Sequence, residues 1–228
     1  MIIPFEQTQE PACKCLCLLL LDTSGSMAGR RIEELNAGLR TLQQQLQESP
    51  ASAYVELSIV SFGPVETKMR FTPAQSFYPP HLEAIGATPM GEAIETGLSL
   101  LQDRKNDCRA NGIGFHRPLV LLITDGASTD SVYEAKRLIH TGEDQKEFMF
   151  YPVGFEGANM AQLAELSVRT PLELKGLAFP ELFRWLSLSL GALSRSDPDD
   201  DFMPEQNPLA WAAIGGLSAV YPPAGLAG

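Results

Sequence analysis

With 228 residues, 44% of them apolar and 20% charged, the chain can bury a sizeable α/β core and is too apolar to be disordered throughout. Its formal net charge is −11, from 28 acidic against 17 basic side chains, and no Lys/Arg cluster stands out, which argues against nucleic acid or an anionic membrane surface as partner. The opening MIIPFEQTQE has no basic segment leading into an apolar one, so no secretory leader is expected. Leu209 to Gly228 is uncharged, but Pro222 and Pro223 interrupt it short of the ~20 residues a membrane span needs.

Cys15 to Leu21 (CLCLLLL) is a continuous apolar run ending at Asp22, the pattern of a strand buried on both faces. Cys13, Cys15 and Cys17 alternate along it, roughly 6.5 Å apart on one side, too far for a disulfide. They also lack the two-residue gap of a zinc site, so with Cys108 they read as small apolar side chains in a reducing compartment. After a Gly-rich turn, Arg31 to Glu48 repeats Ile32, Leu35, Leu39, Leu42 and Leu46 at helical spacing. Tyr54 to Phe62 predicts a second strand, which Gly63-Pro64 turns into Val65 to Phe71. There Val65, Thr67, Met69 and Phe71 alternate with Glu66, Lys68 and Arg70, the pattern of an antiparallel strand at a sheet edge.

Thr88-Pro89 opens a helix through Met90, Ala93, Ile94, Leu98 and Leu101, with Pro89 at its first position. Leu119 to Thr124 is another doubly buried strand, ending in Asp125-Gly126. Ser131 and Glu134 have the spacing of a capping box before a helix through Val132, Ala135, Leu138 and Ile139. Phe148 to Val153 predicts a strand, Asn159 to Leu166 a short helix and Pro171 to Leu174 a short strand. Phe179, Leu182, Phe183, Leu186, Leu190 and Leu193 mark a last amphipathic helix. SDPDDDF then breaks the pattern, predicting one domain over 1–196 and an acidic, then apolar tail over 197–228 outside the sheet, with Leu209, Trp211 and Ile214 as anchors. The alternation of strands and helices predicts an α/β, doubly wound, mainly parallel sheet with one antiparallel edge strand and helices on both faces. Ligands of such sheets bind beyond the carboxyl ends of the strands.

Asp22, Ser24 and Ser26 form an Asp-x-Ser-x-Ser run where the first buried strand ends, and Gly25 lets the backbone turn sharply between them. One carboxylate and two hydroxyls are hard oxygen ligands, suited to Mg²⁺, Mn²⁺ or Ca²⁺ and not to zinc or copper. Asp125 would stand beside that loop if the two buried strands are neighbours, and Thr88 adds a hydroxyl from a third loop. Singly these residues are ordinary, Asp22 or Ser24 as a helix cap, Thr88 as a cap before Pro89, Asp125 as a turn former. Only the combination points to a cation. Arg30 and Arg31 read as solvated, and His81, His116 and His140 carry no assignment.

This set resembles the metal-ion-dependent adhesion site of von Willebrand factor A (VWA) domains, in which an Asp-x-Ser-x-Ser loop, a Thr and an Asp hold one cation. The resemblance runs from about Cys13 to Ser196. It implies a Rossmann-like fold and Asp22, Ser24, Ser26, Thr88 and Asp125 as metal residues, the hydroxyls binding directly or nearly so and the aspartates partly through water. It also implies a non-enzymatic module that docks a partner's Glu or Asp on the cation. LLLDTSGSM, NAGL, GATPMGEAIETGL, PLVLLITDG and FRWLSLSLGALSRS resemble the TerY-like branch. That branch implies a bacterial cytoplasmic protein of tellurite-resistance, stress or defence clusters, accompanied by a PP2C-type phosphatase and a protein kinase. An adaptor of an AAA+ or chelatase-type complex is an alternative. A metal-dependent phosphatase is a weaker one, because haloacid dehalogenase-like enzymes need a second Asp where this chain has Ser24, and TSGSM is no Gly-x-Ser-x-Gly elbow.

Overall fold

A strand apolar from Cys15 to Leu21 needs cover on both faces, and Cys15–Asp22 is buried along its whole length. The computed structural model describes residues 13–196 and Leu217–Ala219. Its elements run β1 (Cys15–Asp22), α1 (Arg30–Glu48), β2 (Val55–Phe62), β3 (Glu66–Pro73), α2 (Met90–Ala110), β4 (Leu119–Thr124), α3 (Tyr133–Asp144), β5 (Met149–Phe155), α4 (Met160–Leu166), β6 (Leu172–Leu174), α5 (Phe179–Leu193) and β7 (Leu217–Ala219). They form one sheet in the order β3-β2-β1-β4-β5-β6-β7. β2, β1, β4, β5 and β6 are parallel, and β3 runs antiparallel along β2 as its alternating charges predict.

The pleat of β1 feeds two cores. Cys15, Cys17, Leu19 and Leu21 point to the face covered by α1 and α5, while Leu16, Leu18 and Leu20 point to α2, α3 and α4. The cysteines form no disulfide; Cys15, Cys17 and Cys108 are buried, and burial pushes the Cys15 thiol up to about 12. Among the described residues no group of His, Cys, Asp and Glu side chains is placed to hold zinc, and no helix is long and apolar enough to cross a membrane.

Three local expectations are corrected. The capping box at Ser131 and Glu134 does not form: α3 starts at Tyr133, Val132 precedes it without a side-chain cap, and Glu134 pairs with Arg137 instead. Asp130, one residue earlier, takes the helix-capping role, and it caps α2 rather than α3. Pro89 lies just outside α2, which begins at Met90. The tail was expected outside the sheet, yet Leu217–Ala219 adds a second antiparallel edge, pairing Leu172 with Ala219 and Leu174 with Leu217. The anchors Leu209, Trp211 and Ile214 and the acidic run after Ser196 lie outside the described residues.

Candidate metal site

β1 and β4 are adjacent and parallel, with Leu21 opposite Ile123, so Asp22 and Asp125 emerge side by side at their carboxyl ends. The chain leaves β1 for a helix on one face and β4 for a helix on the other, which opens a crevice at that point of the sheet.

Asp22 is fully buried and both its oxygens are engaged. Oδ1 accepts the Ser24 backbone N–H at 2.8 Å, and Oδ2 accepts the Thr124 hydroxyl at 2.6 Å. Thr124 Oγ1 in turn accepts the Gly126 N–H at 3.2 Å, tying the ends of β1 and β4 together. Burial raises the pKa of Asp22, an effect that the hydrogen bonds from Ser24 and Thr124 only partly offset and that the charge of Asp125 reinforces. The hydroxyls of Ser24 and Ser26 lie 2.9 Å apart, and Ser26 donates to Asp125 Oδ1 at 2.7 Å. Four of the expected residues thus form one connected patch of oxygens.

Thr88 approaches the Asp125-Gly126 turn from the segment before α2. Its side chain is buried, and a Cβ placed on Gly126 would lie 3.9 Å from Thr88 Oγ1, so its hydroxyl stands over the Asp125-Gly126 turn. Backbone bonds fix the approach. Thr88 N–H donates to Thr129 Oγ1 at 3.0 Å and Thr129 N–H returns to Thr88 O at 2.9 Å. Gly25 N–H donates to Gly86 O at 3.0 Å and Ile85 N–H to Thr23 O at 2.8 Å, stitching the same segment to the Asp-x-Ser-x-Ser loop.

Asp130 anchors the start of α2 by accepting the N–H groups of Gly91 at 3.0 Å and Glu92 at 2.8 Å, an acceptor at the positive end of the helix. Its partial burial pushes its pKa up, but the bonds from Ser128, Glu92 and Gly91 together outweigh that and hold it below the usual carboxylate value. Arg31, read from the sequence as solvated, instead reaches back to Asp125: Nη1 donates to Asp125 Oδ2 at 2.7 Å. Thr129 and Asp130 carry no assignment from the sequence, Thr124 enters there only as the end of a strand and Arg31 only as a solvated side chain. Thr124 immediately precedes the recognisable Asp125-Gly126 pair and Asp130 follows a few residues after it, and that pair is the one signal that could draw attention to them.

The donor set fits a hard divalent cation: oxygens only, from three loops, with two carboxylates among them. Both oxygens of Asp22 are occupied, and His116 lies at the far end of β1, where its N–H bonds Lys14 O. His81 borders a groove of about 400 Å³ beside α1, and His140 sits within α3.

A model of the von Willebrand factor type A domain matches residues 18–174. Among solved structures, the pilus adhesin SpaC from Lactobacillus rhamnosus GG is similar, with a TM-score of 0.61 and 12% identity over 80% of this chain and 31% of that one. Proximal thread matrix protein 1 from the mussel byssus gives 0.54 and 17% over 79% of this chain and 49% of that one. The SpRpn10 VWA domain gives 0.50 and 12% over 67% and 80%. At such identities the likeness is one of fold, and the chain spans less than half the length of the first two. No curated protein matches the sequence.

Proposed function

Because the chain belongs to the von Willebrand factor type A family, we propose that it is a protein-binding module that docks a Glu or Asp side chain of its partner on a divalent cation held by Asp22, Ser24, Ser26, Thr88 and Asp125. The observation that carries this reading is the connected oxygen patch: Ser24 Oγ, Ser26 Oγ and Asp125 Oδ1 follow one another at 2.9 and 2.7 Å beside the buried Asp22. Ser24, Ser26 and Thr88 bind the cation directly or nearly so, and the aspartates act partly through water. Mg²⁺ is the expected ion, with Mn²⁺ or Ca²⁺ as substitutes, since neutral hydroxyls and carboxylates are the ligands these ions share. Three neutral hydroxyls leave the cation electrophilic, and an incoming carboxylate satisfies it.

The phosphatase alternative loses support because an attacking Asp22 would need an oxygen free to approach phosphorus, and both accept short hydrogen bonds in a buried position. In cellular terms the TerY-like phrases lead us to place the chain in the bacterial cytoplasm, in a tellurite-resistance, stress or defence system. There a PP2C-type phosphatase and a protein kinase are the partners to try first. The test is affinity capture in Mg²⁺ and in EDTA, followed by calorimetry of the captured protein against wild type, Thr88→Ala and Asp125→Ala. Binding lost with EDTA and weakened at least tenfold in both variants is expected. Equal affinity throughout overturns cation-mediated docking, and steady release of phosphate during titration would favour an enzyme.

A further inference from the structure

Arg31 is the second residue of α1, where an arginine would ordinarily extend into water, yet it folds back over the metal loop. Nη1 donates both to Asp125 Oδ2 at 2.7 Å and to the Ser26 carbonyl at 3.0 Å. Nη2 donates to the Glu156 carbonyl at 3.2 Å, with the Glu156 carboxylate 4.0 Å away. The side chain of Asp125 is wholly buried, that of Arg31 is 31% exposed and that of Glu156 is 58% exposed. Water therefore screens Glu156 far more than it screens the contact between Arg31 and Asp125.

The two oxygens of Asp125 are thereby divided. Oδ1 faces the hydroxyls through Ser26, while Oδ2 is paired with the Arg31 guanidinium. Two carboxylates alone would roughly balance a divalent cation and weaken its pull on a further anion. With Arg31 counted, the loaded site carries one positive charge in excess, inside a chain whose formal net charge is −11.

We propose that Arg31 is the built-in counter-charge of the metal site, weakening the hold of Asp125 on the cation and so reserving the cation for a carboxylate from outside. This role rests on the cation site proposed above. It makes Arg31 a positioning and tuning residue rather than a ligand, and it predicts that removing its charge tightens metal binding while loosening anion binding.

The experiment titrates the full chain with Mn²⁺, following the free-ion electron paramagnetic resonance signal, in wild type, Arg31→Gln, Arg31→Lys and Ser24→Ala. Acetate serves as the carboxylate probe, through relaxation of its methyl protons by bound Mn²⁺. Arg31→Gln, which keeps an N–H donor but no charge, should bind Mn²⁺ about tenfold more tightly at low ionic strength, with the gain shrinking in high salt. Its acetate relaxation should fall several-fold. Arg31→Lys, which keeps the charge, should stay close to wild type in both readouts. Weaker or unchanged Mn²⁺ binding in Arg31→Gln overturns the proposal, as does an Arg31→Lys variant that behaves like Arg31→Gln, because a purely structural arginine gives those results. Wild type that binds no Mn²⁺, or Ser24→Ala that binds it equally well, overturns the cation site itself and the role of Arg31 with it.

Discussion

Lys105 shows how a buried charge can be tolerated without stabilising the fold. Its side chain is only 2% exposed, and its ammonium meets the carboxylate of Glu147 and, at 3.2 Å, the Glu147 carbonyl. Burial first and the charge of Arg109 second push its pKa down to about 8. An unfolded lysine titrates near 10.5. Between the two values the native chain holds fewer protons than the unfolded one, so this group adds stability as pH rises from about 8 to 10.5 and subtracts it below. Lys105→Met should therefore be neutral or stabilising at pH 7, by on the order of 1–2 kcal/mol. The difference from wild type should shrink by pH 10.5. Thermal melts of both proteins across that range check it, and a variant less stable at pH 7 than at high pH, relative to wild type, would refute it. Such residues are hard to read from sequence for the same reason that Arg31 was. The partner of Arg31 is 94 positions away, that of Thr124 is 102 away and that of Lys105 is 42 away. Local pattern carries no trace of a contact made only by the fold.

At the scale of elements, the Asp-x-Ser-x-Ser loop depends on glycines that let three segments touch. Gly63, at φ 143°, follows β2, and a Cβ there would lie 2.6 Å from the backbone of Thr23 and Ser24. A Cβ on Gly86, at φ 79°, would meet the Gly63 carbonyl at 3.1 Å. Gly63→Ala should thus displace the loop that presents Ser24, costing ~1–3 kcal/mol of stability. Mn²⁺ affinity should fall at least tenfold while the helix content seen by circular dichroism stays unchanged. Undiminished Mn²⁺ affinity would show that the loop does not need this close approach. The buried strands were the most legible elements, because continuous apolar runs bounded by Asp22 and Asp125 leave few alternatives; Leu119–Thr124 begins with its apolar run and ends just after it, at Thr124. Short pieces were not. β7 pairs through three residues and has no period to detect, and at Ser131 the hydroxyl accepts the Tyr133 N–H at 3.4 Å without completing a capping box, while Asp130 beside it caps α2. Of the candidate site, the five oxygen residues are proposed from motif and strand ends alone, whereas nothing in the local pattern points to the residues that contact them.

For the whole molecule, the question is how much of the fold depends on the cation. Both faces of the sheet are filled by apolar side chains, with Leu19 and Leu21 on one side and Leu18 and Leu20 on the other, all fully buried, and neither core includes a metal residue. The hydrophobic effect that holds these layers does not require the ion, so EDTA should leave a folded protein. A cation that binds only the folded state still stabilises it by mass action, about 2.7 kcal/mol at ~100 times its Kd. For a domain of this size that is a rise in Tm of roughly 5–10 °C. Mg²⁺ or Mn²⁺ should produce that rise in wild type, and Asp22→Ala or Ser24→Ala should abolish it, because each removes an oxygen from the centre of the patch. The two variants must be compared with wild type in EDTA as well, since Asp22 also ties β1 to Thr124 and its loss lowers the starting Tm. Only the increment on adding metal reports the site. An undiminished increment in Asp22→Ala would move the cation elsewhere on this acidic surface, and unfolding of wild type by EDTA alone would make the ion a structural element rather than a docking point for a partner's carboxylate.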